Sequence, residues 1–169
     1  IEDPVDEHVK FVSASEGGQH TGDKEKGGKV TWNIDKVSAG TTKTVTLTVE
    51  VLASALESNK GPGKVVNGGK DTLAWVDNDQ KYELDEVLNP VPEKPTKQET
   101  KINETESVGN GENGAVKVGD KITYEITVKN YKGTEATIHI EDPLDEHVKY
   151  VSASEGGQHT GDKEKGGKV

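Results

Sequence analysis

The chain contains no cysteine and no methionine, one phenylalanine and two tryptophans. Disulfide staples and thiol chemistry are thereby excluded, which leaves open what stabilises the fold. Apolar residues are scarce as well, at 29% of the chain, where an ordinary globular domain has about 45 to 50%. The core must be thin and most of the surface solvated. No run approaches the roughly 20 apolar residues of a membrane span, and no signal peptide is seen, although a piece from the middle of a longer array would carry neither. Positive charge is outnumbered, for a formal net charge of −10. Such a surface repels phosphates, so neither nucleic acid nor an anionic membrane is expected as a partner, no membrane insertion is expected of a chain without an apolar span, and solubility is the benefit. Disorder is the rival explanation of this composition. It fails because the apolar residues fall with strand periodicity.

The strongest signal is internal duplication. Ile1 to Val30 recurs as Ile140 to Val169, with differences only at Val5/Leu144 and Phe11/Tyr150. A near-identical copy at a domain-sized interval points to a tandem array of folded modules, seen through a window that opens inside one repeat and closes inside the next. Three prolines among charges in Asn89-Pro90-Val91-Pro92-Glu93-Lys94-Pro95 mark a semi-rigid linker. The expected organisation is the C-terminal part of one module over 1–88, a linker over 89–99, and the N-terminal part of the next module over 100–169.

Alternation by two dominates what remains. Val45, Leu47, Val49 and Val51 are separated by polar residues, as are Ile122, Tyr124, Ile126 and Val128. Shorter runs surround Val30-Trp32-Ile34, Val65-Val66, Leu73-Trp75, Tyr82-Leu84, Ala136-Ile138-Ile140 and Val148-Tyr150-Val151, bounded by Gly, Asp and Asn turns. The only hint of helix is Ala53 to Ser58. The pattern predicts an all-β, antiparallel sandwich of immunoglobulin-like architecture, in a permuted frame.

The stretch Val118-Gly119-Asp120-Lys121-Ile122-Thr123-Tyr124-Glu125-Ile126-Thr127-Val128-Lys129-Asn130, followed by Ile138-His139-Ile140-Glu141-Asp142-Pro143-Leu144, resembles the repeat module of Gram-positive surface proteins related to pilin domains with internal isopeptide bonds. Val30 to Ile34, Thr44 to Val49 and the exit Asn89-Pro90-Val91-Pro92 continue the likeness over nearly the whole repeat. The resemblance implies an extracellular β-sandwich that serves as a stalk or spacer in fibres and adhesins. It also implies a bond between a first-strand Lys and a late-strand Asn, assisted by a carboxylic acid. Burial is required, because it favours the neutral amine and the protonated acid.

On that resemblance Lys101 is the donor, Asn67 the acceptor, and Asp142 with its first-frame copy Asp3 the assisting acid. Asp142 shares parity with Ile138 and Ile140 and so points inward if the strand extends that far. Lys97 and Lys117 stand as alternative donors, Asn78 and Asn89 as alternative acceptors. A plainer reading makes Asp-Pro a turn opener and Asn67-Gly68-Gly69 a turn in its own right. If formed, the bond closes a loop on the order of 100 residues, worth about 4 to 5 kcal/mol by analogy with disulfides. In this frame Lys101 and Asn67 belong to different repeats, so the bond is expected to join neighbouring copies.

Other motifs carry less. Gly109-Asn110-Gly111-Glu112-Asn113-Gly114 fits the dinucleotide fingerprint but leads into a strand rather than a helix. Gly22 to Gly27 has Gly28 where a phosphate loop needs lysine. Asp77-Asn78-Asp79 with Glu83 lacks the glycine and closing glutamate of a calcium loop and is read as a hairpin turn. His8, His20, His147 and His159 are read as polar-loop histidines and His139 as outward-facing, so no metal and no cofactor is expected. No nucleophile, base and orienting group cluster, so the chain is not read as an enzyme beyond one autocatalytic turnover. The expected role is a structural repeat of a bacterial cell-surface or spore-surface fibre. Its partners would be neighbouring copies, joined covalently or by β-strand addition. The alternative is an adhesin that recognises a host protein or glycan through Gly17 to Gly28 and Val108 to Gly114.

Overall fold

A computed structural model describes residues 1–107 and 114–169. The chain forms two compact units, Ile1–Tyr131 and Lys132–Val169. The first holds the ten strands found among the described residues: β1 (Glu2–Pro4), β2 (Val9–Ala14), β3 (Gln19–Thr21), β4 (Lys29–Thr31), β5 (Leu47–Val51), β6 (Lys64–Ala74), β7 (Tyr82–Pro90), β8 (Thr96–Ile102), β9 (Thr105–Glu106) and β10 (Ile122–Thr127). Pairings are antiparallel throughout, in sheets of order β3-β4-β1-β6-β7, β10-β8-β9 and β2-β5. Ala53–Ala55 and Glu57–Asn59 are single 3₁₀ turns, where the sequence hinted at helix.

The five-stranded sheet and the β2–β5 ribbon enclose the core. Val5, Val9, Val30, Trp32 and Val65 are buried, with Ile1, Phe11, Ala14, Ile34, Val45, Leu47 and Val91 packed around them. Trp32 closes the sandwich with its ring inside and its indole N–H given to the Ser15 carbonyl at 2.8 Å. An apolar body with one polar handle is suited to such a boundary. Gly18 makes room for the ring, since a Cβ there would lie 2.4 Å from Trp32 Nε1.

Strand β1 owes its short length to Pro4. The Ile1 nitrogen donates to Trp32 O and Val5 N–H to Gly28 O, so the alternate positions, Glu2 and Pro4, turn toward β6. Proline has no N–H to offer there. Backbone register between β1 and β6 is accordingly confined to Glu2 opposite Leu73. Beyond it, carboxylate side chains take over from the backbone, as described below.

The second unit repeats the sequence of residues 1–30 but forms no strand, only isolated bridges of Lys168 with Pro143 and Thr160. Its local contacts match those of the first copy. Lys149 pairs with Glu164 at 2.8 Å as Lys10 does with Glu25 at 2.7 Å. Asp142 and Val169 exchange backbone bonds at 2.8 and 3.0 Å, and Leu144 N–H donates to Gly167 O as Val5 does to Gly28 O. Burial differs: Val5, Val9 and Val30 are buried, whereas Leu144, Val148 and Val169 are half-exposed.

Several expectations require correction. The runs at 136–140 and 148–151 are not strands, and Ile138 and Ile140 are exposed rather than inward. The strands that flank this sequence in the first copy have no counterpart against the second among the described residues. Val65-Val66 and Leu73-Trp75 are not two strands, since β6 runs through Ala74. Asn67-Gly68-Gly69 is therefore a bulged stretch of strand and not a turn. The part of the proline segment outside strands is only 91–95, because β7 extends to Pro90 and β8 begins at Thr96, and within it Val91 N–H still donates to Gly63 O at 2.8 Å. The Gly109 to Gly114 motif lies outside the described residues apart from Gly114.

Candidate functional site

Asp3 occupies the inward row of β1 between Ile1 and Val5, so its carboxyl enters the sandwich and is only 8% exposed. A buried carboxylate requires donors. Two come from β6: Asn67 Nδ2 donates to Asp3 Oδ1 at 2.9 Å and Thr72 Oγ1 to the same oxygen at 3.2 Å. Burial pushes the Asp3 carboxyl above its ordinary 3.8, while the bonds from Asn67 and Thr72 oppose the rise. Asp6, at the end of the same segment, takes Val66 N–H and His8 N–H at 2.8 Å each, docking β6 beside the β1–β2 turn.

The position of Asn67 depends on a bulge. Register slips between Asn67 and Gly69, where Gly68 takes φ +90° and Gly69 φ +79°. A Cβ on Gly68 would stand 2.0 Å from the Asp85 carbonyl oxygen of β7. Only glycine permits that approach, and the approach lets Asn67 meet Asp3 while Thr72 does so from five residues further on.

Lys101 is placed elsewhere. It lies on β8 opposite Thr123 of β10 and Glu106 of β9, its side chain 44% exposed and its Nζ 4.0 Å from Glu104. Neither β1 nor β6 pairs with β8, so this lysine does not join Asp3 and Asn67. Lys97 stands over the Tyr124 ring at 4.8 Å. Lys117 gives its backbone N–H to Asp120 at 2.8 Å, in a clasp that Asn103 completes. Asn78 is exposed in the turn between β6 and β7, and Asn89 is exposed on β7 opposite Val65. Asp142 lies half-exposed in the second unit. The first copy thus unites an acid with a carboxamide, and no lysine side chain completes the group among the described residues.

Sequence reasoning missed Thr72, because β6 was divided at the glycines. It also missed Asp6, although Asp followed two residues later by a backbone donor is the pattern of an Asx turn, repeated at Asp145 and His147. His20 is not a free loop residue. It stacks on Phe11 at 4.5 Å, and its Nε2 faces the Gly27 carbonyl at 2.9 Å, which assigns the proton to that nitrogen. Tyr150, His159 and Gly166 repeat the arrangement at 4.5 and 3.0 Å. The Asp77–Asp79 segment is the hairpin turn between β6 and β7, with Asp79 N–H on Val76 O. Among the described residues, no three His, Asp or Glu side chains are gathered to hold a metal, and no helix is long and apolar enough to cross a membrane.

No protein-family model, no curated protein and no solved structure matches the chain.

Proposed function

We propose that this chain is a structural repeat unit of an extended bacterial surface fibre or stalk, built from immunoglobulin-like sandwiches, in which Asp3 and Asn67 are the acid and acceptor of a lysine cross-link. The observation that carries the reading is the buried Asp3 carboxyl hydrogen-bonded to the Asn67 carboxamide. Burial raises the Asp3 pKa, a shift in the direction of the protonated carboxyl that this step requires. Rotating the Asn67 amide by half a turn presents its carbonyl oxygen to that proton and polarises Cγ. A neutral lysine amine then forms a C–N bond to Cγ, the original C–N bond of the carboxamide breaks, and ammonia leaves with the transferred proton. A chain without cysteine gains in this way a covalent tie that a reducing or an oxidising medium leaves intact.

Lys101 of a neighbouring copy is the first candidate donor, ahead of Lys97 and Lys117. The test is intact mass under denaturing conditions of one repeat joined in its own frame, Glu93 to Val169 followed by residues 31 to 92. A mass low by one ammonia is expected, restored by Lys101→Ala. Full mass in the unsubstituted repeat would remove the cross-link and leave a non-covalent spacer.

A further inference from the structure

We propose that residues 53–63 are a docking surface for the start of the following repeat, so that successive modules meet at a set angle instead of swinging on the proline segment. The junction lies whole within the chain, because the compact unit Ile1–Tyr131 runs through the proline segment and on past β10. The surface itself is stiff. Its 3₁₀ turns are stapled together, with Lys60 N–H on Glu57 O at 2.9 Å, Gly61 N–H on Leu56 O at 2.8 Å and Gly63 N–H on Ala55 O at 2.8 Å. Ala55 is fully buried. At Gly61 there is no room for a side chain, since a Cβ would stand 2.0 Å from the Ser54 carbonyl oxygen.

Contacts from residues beyond β7 fall on these turns. Val91 N–H donates to Gly63 O at 2.8 Å. The Glu93 carboxylate spans Ser58, taking its backbone N–H at 2.8 Å on one oxygen and its hydroxyl at 3.0 Å on the other. Lys129, just past β10, pairs with Glu57. Gly63 makes room for that pair, because a Cβ there would stand 2.8 Å from Glu57 Oε1. The Val91 and Glu93 bonds thus fix the linker, and Lys129 ties the β10-β8-β9 sheet to the same turns. Glu57 and Lys129 remain about half exposed, and an exposed ion pair contributes little by itself. Tethering changes the balance. Only residues 91–95 separate β7 from β8, and so short a tether holds the two faces at a high effective concentration, where weak contacts suffice to select one arrangement. The inference rests on the repeat-unit reading, since repetition carries one junction angle along an array, but not on the lysine cross-link.

The full chain has no cysteine, so spin labels can be placed at chosen sites. Lys24→Cys, exposed between β3 and β4, and Glu125→Cys, exposed on β10, report the separation of the modules by pulsed electron-electron double resonance. One narrow distance distribution is expected. Adding Glu57→Lys with Glu93→Ala should broaden it about twofold or more, toward the spread of a flexible tether of that length. Glu57→Lys alone sets two ammonium groups against each other and should also broaden it. Glu57→Lys with Lys129→Glu should narrow it again, which a mere loss of packing would not do. Unchanged tryptophan fluorescence verifies that the sandwich is intact in each variant. Lys101→Ala should leave the distribution as it was, so the joint is read apart from the cross-link. A broad distribution in the unsubstituted chain, equal widths in all variants, or a charge swap that fails to narrow would overturn the docking surface, while the mass test of the cross-link would stand unaffected.

Discussion

At the residue scale, Asp3 sets the conditions of the site. It is an acid in the inward row of a sandwich, and its folded pKa is raised above 3.8 by burial. The folded state therefore holds the proton more tightly than the unfolded state. The stability that this contributes is fully present below 3.8 and is lost as pH rises through the raised value. Thr72→Val removes one of the two bonds that oppose the rise. The Asp3 midpoint, followed by carboxyl-carbon NMR, should move further up, with a loss of about 1 kcal/mol near neutral pH. An unchanged or lower midpoint would show that Thr72 does not act on the acid. The meeting of Asp3 with Asn67 was suggested by the resemblance, whereas the parity argument, made for Asp142 on a run at 136–140 that forms no strand, did not hold there. Thr72 was not legible, because nothing in the local pattern reveals that β6 continues past two glycines.

At the scale of elements, the bulge in β6 joins sheet geometry to site geometry. Gly68→Ala would force a methyl group onto the Asp85 carbonyl at a residue with φ +90°. The expected loss is about 2 to 4 kcal/mol by denaturant unfolding, combining left-handed strain with overpacking. A loss below about 0.5 kcal/mol, the size of an ordinary surface change, would show that β7 simply moves aside. The alternating runs at 45–51 and 122–128 were readable as strands because a period of two reports a pleated backbone directly. The same reading failed at 136–140, where the alternation is equally good. A periodic pattern states which face a strand would bury, and pairing further requires a neighbour that the pattern does not supply.

At the scale of the whole molecule, the duplicated segment is an internal control for what tertiary context adds to a fixed sequence. Gly27 N–H donates to Val9 O at 2.8 Å and Gly166 N–H to Val148 O at 2.9 Å, so the local bond is the same in both copies. Only the first lies under a sandwich. At dilutions where the chain is monomeric, Gly166 should exchange its amide hydrogen faster than Gly27 by about a hundredfold or more, because the first copy opens only with its domain. Equal rates would mean that the β5–β6 layer adds no protection. The shared His-to-carbonyl latch, His20 on Gly27 and His159 on Gly166, has a bearing on how the fold is reached in time. It closes over seven residues and stands without β6, whereas Asn67 must travel 64 residues along the chain to reach Asp3. Short loops close in tens of nanoseconds and distant strand pairing is far slower. A newly made repeat would therefore pause with its turns set and its sheet unfinished, and the arrival of β6 would pace its folding.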